Sequence, residues 1–223
     1  MIVGALVVAA VVAVVILSLS GGDGPLGVIV GNDTPEPPAF DFDVATPKPV
    51  ETATNPDHQQ AVAASEAPAE AVTERMDALY TAAFLDPANW MEGSYDGVLE
   101  LFTGGARDAA EKQLDVLTAG PDAGEAFETI RPMPSTLKLH VLFDPAGVAR
   151  SVEGSAHFVA RGTGADVQVL LISKGQFIFE KADGEWLVVS FSVQRSDDER
   201  APKPGTSSSP SGGSAEPSGA EAS

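Results

Sequence analysis

Residues 136–143 read TLKLHVLF, and apolar and polar side chains alternate along this stretch. Successive side chains of an extended strand point to opposite faces, so every second residue shares a face. The stretch therefore predicts a β-strand that packs one face on a hydrophobic core. That face would consist of Leu137, Leu139, Val141 and Phe143.

Three further strands are expected after this one, because turn residues recur at regular spacing. The turns are expected at 144–147, 162–164 and 181–184, and the strands at 148–161, 167–181 and 186–194. Gly175 predicts a β-bulge in the third strand, and Asp183-Gly184 predicts a tight hairpin turn. One face of the second strand would hold Val152, Ala156 and Phe158. One face of the fourth would hold Leu187, Val189, Phe191 and Val193.

Helical spacing dominates the chain before residue 136. Apolar residues recur three and four positions apart in a first helix that ends at Asp86-Pro87; they are Val72, Met76, Leu79, Tyr80, Ala83 and Phe84. A shorter helix would carry Tyr95, Val98, Leu99 and Phe102, and a third would cover 106–117. The sequence therefore predicts an α+β domain at 62–196, with three helices packed on a curved antiparallel sheet of about four strands.

The segments on either side of this domain have the composition of disordered chain. Residues 21–61 contain seven prolines, seven acidic residues and one basic residue, so they bury too little apolar surface to offset the entropy of ordering. Residues 197–223 are rich in Ser, Gly, Pro, Ala and Glu and contain no aromatic residue. We expect a Pro-rich acidic spacer and a disordered tail.

An apolar segment without a charged residue precedes the spacer. It begins with Ile2 and ends with Leu19, and twelve of its residues are Val, Ile or Leu. Eighteen helical residues extend about 27 Å, close to the thickness of a bilayer core. Residues 1–20 therefore predict a transmembrane helix that contacts the lipid bilayer. The first basic residue after it is Lys48, which favours a cytoplasmic N-terminus and an extracytoplasmic domain in a single-pass plasma-membrane protein. A cleaved signal peptide ending near Ser20 is the alternative.

The order of elements resembles a known family. Helices followed by long strands, ending in GEWLVVSF at residues 184–191, are similar to the nuclear transport factor two-like (SnoaL-like) cone fold. With one N-terminal membrane span, and with Thr103-Gly104 after the second helix, the chain resembles actinobacterial Mce-associated membrane proteins. The resemblance implies a conical pocket between helix and sheet, a possible homodimer through the sheet, and an association with lipid-transport complexes.

Several polar and aromatic residues are candidates for such a pocket. Enzymatic members of the family use acid–base side chains in the pocket, where desolvation and a hydrogen-bond donor assist proton abstraction. The candidates for lining the pocket here are Tyr80, Tyr95, His140, His157 and Trp186, with Asp96 as a further acid. No pair among them has a spacing that indicates a shared catalytic site, so no catalytic residue is assigned. Surface positions for the histidines, and core positions for Tyr80 and Trp186, are the alternatives.

Composition narrows the function further. Three histidines and no cysteine provide no zinc pattern, and no cofactor motif is found. A formal net charge of −19 is opposite in sign to what nucleic acid requires. The leading hypothesis is a membrane-anchored, extracytoplasmic binding or assembly module for a membrane or envelope protein partner, or for an apolar small ligand. A SnoaL-type small-molecule enzyme using a pocket His or Asp, and a structural envelope protein without a pocket, are the alternatives.

Overall fold

A computed structural model describes residues 35–50 and 58–200 of the chain. Its strands are β1 (Asp43–Val44), β2 (Lys48–Val50), β3 (Thr129–Pro132), β4 (Thr136–Phe143), β5 (Ala149–Thr163), β6 (Gln168–Ala182) and β7 (Glu185–Arg200). Its helices are α1 (His58–Tyr80), a π-helical segment (Thr81–Leu85), α2 (Pro87–Trp90), α3 (Asp96–Leu99), α4 (Gly104–Glu111), α5 (Leu114–Leu117) and α6 (Ala123–Ala126).

The strands form one mixed sheet of seven strands. Strands β4 to β7 pair in sequence order and antiparallel, as expected when each is joined to the next by a short turn. Strands β1 and β2 pair in parallel with β4, and β3 pairs antiparallel with the end of β5. The sheet therefore begins with short strands and ends with the long β6–β7 hairpin.

The predicted architecture of three helices on a four-stranded antiparallel sheet is wrong. Residues 43–50, read as disordered spacer, supply the two parallel strands, and residues 129–132 supply β3. The described residues contain one long helix, and the helix predicted at 106–117 is broken after Glu111 into α4 and α5. Strands of two to four residues are too short to show alternation, and β2 and β3 also contain Pro49 and Pro132, so only their pairing identifies them.

The core lies between α1 and one face of the sheet. The apolar stripe of α1 and the π-helical segment is buried as predicted, and Phe42, from the chain before β1, packs edge-on against Tyr80 with ring centroids 5.1 Å apart. Tyr80, Phe84, Phe158 and Phe177 continue this cluster across β5 and β6. Aromatic side chains from the helix, the sheet and the chain before β1 therefore form one cluster in the core.

A bulge in β7 changes which residues face the core. Ile178 lies opposite Ser190 but Phe179 lies opposite Val188, so Val189 is an extra residue. Trp186 and Val188 are consequently buried, while Phe191 and Val193 are half-buried. The expected single face of Leu187, Val189, Phe191 and Val193 is wrong. The bulge expected at Gly175 is wrong as well, since Gly175 pairs in regular register with Ala156 and Val193.

The predicted membrane segment lies outside the described residues, as do residues 21–34 and 201–223. No helix within residues 35–50 and 58–200 has the length and apolar character needed to cross a bilayer.

Candidate functional site

A groove of about 560 Å³ opens between the short helices α5 and α6 on one side and the start of β6 and the end of β7 on the other. We call it the α6 groove. It is lined by Asp115, Val116, Ala119, Gly120, Pro121, Asp122, Ala123, Ala126, Phe127, Val167, Val169, Arg195 and Asp197. Its volume is within the range of small-molecule sites, about 300–1,000 Å³.

Arg195 joins the two walls of the α6 groove. Its Nη1 donates to the backbone carbonyl oxygens of Thr118 at 2.7 Å and Asp115 at 3.1 Å, in the helical wall. Its Nε and Nη2 donate to the carboxylate of Asp197 at 2.9 and 2.6 Å. A bidentate pair of this geometry holds both side chains in fixed orientations. The guanidinium is therefore already engaged with the protein.

Close backbone approaches fix the position of α6. A Cβ atom at Gly124 would lie 2.4 Å from the carbonyl oxygen of Met91, and one at Gly164 would lie 2.3 Å from that of Ala126. Gly120 has φ +102°, which disfavours a side chain. The helical wall of the groove thus depends on glycine at positions where another residue would force the backbone apart.

The chemistry of the α6 groove is amphipathic. Its floor carries valine, alanine and phenylalanine side chains, of which Ala123, Phe127 and Val169 belong to the buried core. Asp115 and Asp122 are exposed at the rim. No histidine or lysine of residues 35–50 and 58–200 lines it. Such a lining provides apolar contact area and acceptors, but no group placed to act as a general base on the floor.

The structure places Tyr80 in the core and not in this groove. Its side chain is 2% exposed, and its hydroxyl lies 3.3 Å from the Ser173 Oγ. Burial raises the pKa of Tyr80 to about 12, although the hydrogen bond with Ser173 opposes the shift. Tyr80 is therefore a neutral core residue at ordinary pH.

Tyr95 lies behind the helical wall of the α6 groove. It is buried, and its hydroxyl donates to the carbonyl oxygen of Gly120 at 2.8 Å. Burial raises the pKa of Tyr95, against smaller opposing effects from Thr118, Arg195 and Gly120. The side chain supports a groove-lining backbone but does not itself line the groove. Asp96 is exposed at the start of α3 and also lies outside the lining.

Both histidines lie on the face of the sheet opposite the core. His140 is half-buried on β4, across from Lys48 and Glu153. His157 is exposed on β5, across from Thr136 and Lys174, and lines a second groove on that face. His157 pairs with Thr136, which is four residues before His140 on β4, so the two histidines are separated along the strands. Trp186 is buried at the β6–β7 hairpin, with the Lys181 ammonium 5.6 Å from its ring centroid.

The five predicted pocket residues therefore do not form one site. None of them lines the α6 groove, and His157 lines the second groove. The α6 groove was missed because its lining comes from 115–127, 167–169 and 195–197, which no local pattern connects. The available signal was Arg195-Ser196-Asp197, a charged pair on alternate positions of a strand end. Within the described part of the chain no cluster of three or more His, Asp or Glu is arranged to hold a metal ion.

Comparison with models of known protein families, and with curated proteins, gives no match for this chain. The resemblance to the cone-fold family and to Mce-associated membrane proteins thus stays a prediction.

Proposed function

We propose that the chain is a membrane-tethered, extracytoplasmic binding module whose folded unit holds an apolar or amphipathic small ligand in the α6 groove. The observation that carries the proposal is the groove itself, about 560 Å³ with an apolar floor and an acidic rim. Apolar floors with a few polar groups at the edge are typical of ligand sites. The apolar segment at 2–19 supports the tether.

The alternative of a SnoaL-type enzyme has less support. Acid–base catalysis needs a titratable group within hydrogen-bonding reach of a bound substrate. The aromatic cluster around Tyr80 packs between α1 and the sheet, whereas His140 and His157 lie on the other face of the sheet. The packed aromatic core is also compatible with a structural envelope protein without a pocket. The α6 groove favours a binding module over a structural protein.

The ligand proposal is tested by filling the groove. Ala126 lines the groove and is exposed, so Ala126→Trp would occupy the groove without entering the core. Ala146, in the exposed β4–β5 turn, provides the matched control Ala146→Trp. The 223-residue chain and both variants would be purified from host membranes in nonionic detergent and compared by native mass spectrometry. A small molecule retained by the wild type and by Ala146→Trp, but lost from Ala126→Trp, is expected.

Two results would contradict the ligand proposal. If the wild-type chain carries no small molecule, or Ala126→Trp retains the same one, the α6 groove is not a ligand site and the structural hypothesis takes its place.

Tethering is tested separately by washing host membranes with alkaline carbonate. The chain should stay in the membrane pellet, and protease added outside the cell should digest its folded unit. Release of the chain by the wash would favour a cleaved signal peptide.

A further inference from the structure

The second groove lies on the sheet face that points away from α1, and we call it the sheet groove. It has a volume of about 470 Å³ and crosses β4, β5, β6 and β7. Its lining is Thr136, Lys138, Ser155, Ala156, His157, Lys174, Gly175, Gln176, Ser192 and Gln194. Among the described residues, the lining contains two lysines, one histidine and no acidic residue, in a chain with a net charge of −19.

Strand register places the three basic side chains next to one another. His157 on β5 lies directly across from Lys174 on β6, and Lys138 on β4 lies across from Ser155, two residues from His157. With strands about 4.8 Å apart and about 3.3 Å per residue, the Cα atoms of Lys138 and Lys174 are roughly 12 Å apart. Both lysines are exposed. Their side chains are long enough to reach one ligand between them.

Neither Lys138 nor Lys174 forms an ion pair with a described residue. The ion pairs of the described residues involve other basic side chains, namely Arg75, Arg107, Arg150 and Arg195. The nearest acids on this face are Asp43, opposite Thr136, and Glu153, two residues before Ser155, and both lie outside the lining. Lys138 and Lys174 are therefore available to an anionic ligand.

We propose that the sheet groove binds a phosphoryl group. Lysine ammonium groups act as point charges toward phosphate, and two of them match a dianion. Thr136, Ser155 and Ser192 add hydroxyl donors, and Gln176 and Gln194 add carboxamide donors. The site is on the opposite face from the α6 groove, so the two proposals stand or fall independently.

The test is calorimetric titration of the 223-residue chain in nonionic detergent at low salt. One arm uses glycerol phosphate as a soluble phosphate monoester, and the other uses mixed micelles doped with phosphatidic acid. Saturable binding weakened by added salt is expected. Binding in both arms, or in the soluble arm alone, assigns the site to phosphate esters in general. Binding to micelles alone assigns it to a lipid headgroup.

Substitutions locate the binding. Lys138→Gln/Lys174→Gln should weaken it by about tenfold or more, because charge-assisted hydrogen bonds are lost. Lys138→Arg/Lys174→Arg keeps both charges and should retain most of the affinity. Lys112→Gln removes one lysine charge at the exposed end of α4, away from the groove, and this variant should bind the phosphate probe as the wild type does. Absence of wild-type binding in both arms, or equal affinity in the double glutamine variant, would overturn the proposal.

Discussion

Arg195 and Asp197 form a bidentate ion pair, with Nε–Oδ1 at 2.9 Å and Nη2–Oδ2 at 2.6 Å. The pair lies at the end of β7 and orients the guanidinium so that Nη1 reaches the carbonyl oxygen of Thr118. Residues two apart on a strand share a face, so an Arg-x-Asp sequence can form such a clamp. The clamp joins the sheet to the helical wall of the α6 groove.

Replacing Arg195 should therefore loosen that wall. Arg195→Gln leaves the buried Thr118 backbone without its donor and should lower the free energy of unfolding by about 1–3 kcal/mol. Thermal unfolding and hydrogen exchange of α5 and α6 would measure the effect. Arg150→Gln breaks an exposed ion pair with Asp144 and should change little. Equal effects of the two substitutions would show that Arg195 is not a clamp.

Gly124 gives a matched test of how α6 is positioned. A Cβ there would lie 2.4 Å from the Met91 carbonyl oxygen, whereas at Gly97 in α3 it would meet nothing within 4 Å. Both glycines are in four-residue helices. Gly124→Ala should destabilise by about 1–3 kcal/mol through overpacking. Gly97→Ala should leave stability unchanged or raise it by up to about 1 kcal/mol. Denaturant titration of both variants checks this, and similar midpoints would contradict the tight approach.

The strands that alternate regularly were predictable from the sequence. Burial of Leu137, Leu139, Val141 and Phe143 in β4 follows the period of two, and Val152, Ala156 and Phe158 are buried on β5 as predicted. In β7 the prediction is wrong because one extra residue, Val189, moves the following side chains to the other face. Periodicity describes one strand at a time and contains no signal for a bulge.

The two grooves and the parallel strands depend on contacts between distant residues. Phe42 is 38 residues from Tyr80, yet the two rings are in contact. Lys138 and Lys174 are brought to one groove only by the register of β4, β5 and β6. Composition assigned residues 35–50 to a spacer because prolines and acids outnumber apolar residues there. The two aromatic residues in that segment, Phe40 and Phe42, were the signal for a folded segment.

Asp77 provides a test of how this N-terminal segment is held. Its Oδ1 accepts a hydrogen bond from the Phe42 backbone N–H at 3.0 Å. Burial raises the pKa of Asp77 above 3.8, with additional repulsion from Asp41 and Glu74. Because the folded state binds this proton more tightly than the unfolded state, the contribution of Asp77 to stability is full below pH 3.8. It is lost as pH rises through the raised pKa.

Asp77→Asn should therefore raise the melting temperature near neutral pH, because Asn keeps an acceptor for Phe42 without a desolvated charge. The difference from the wild type should shrink as pH falls toward 3.8. Asp166→Asn, in the exposed β5–β6 turn, is the control and should not change the melting temperature in this way. Melting curves recorded across this pH range check the prediction. A lower melting temperature for Asp77→Asn at neutral pH would mean that the charge itself holds the segment.

The chain contains two tyrosines, and both are buried, so their ionisation reports directly on the core. Burial raises the pKa of Tyr80 from 10.0 to about 12 and raises that of Tyr95 as well. Tyrosinate absorbance, read immediately after a pH jump, should thus appear at higher pH in the native chain than in the unfolded chain. The protons held by the folded state stabilise it below pH 10, and this contribution is lost as pH rises toward 12. Tyr80→Phe should make the free energy of unfolding fall less steeply as pH rises above 10. Native absorbance that reaches half its final value near pH 10 would place a tyrosine in solvent.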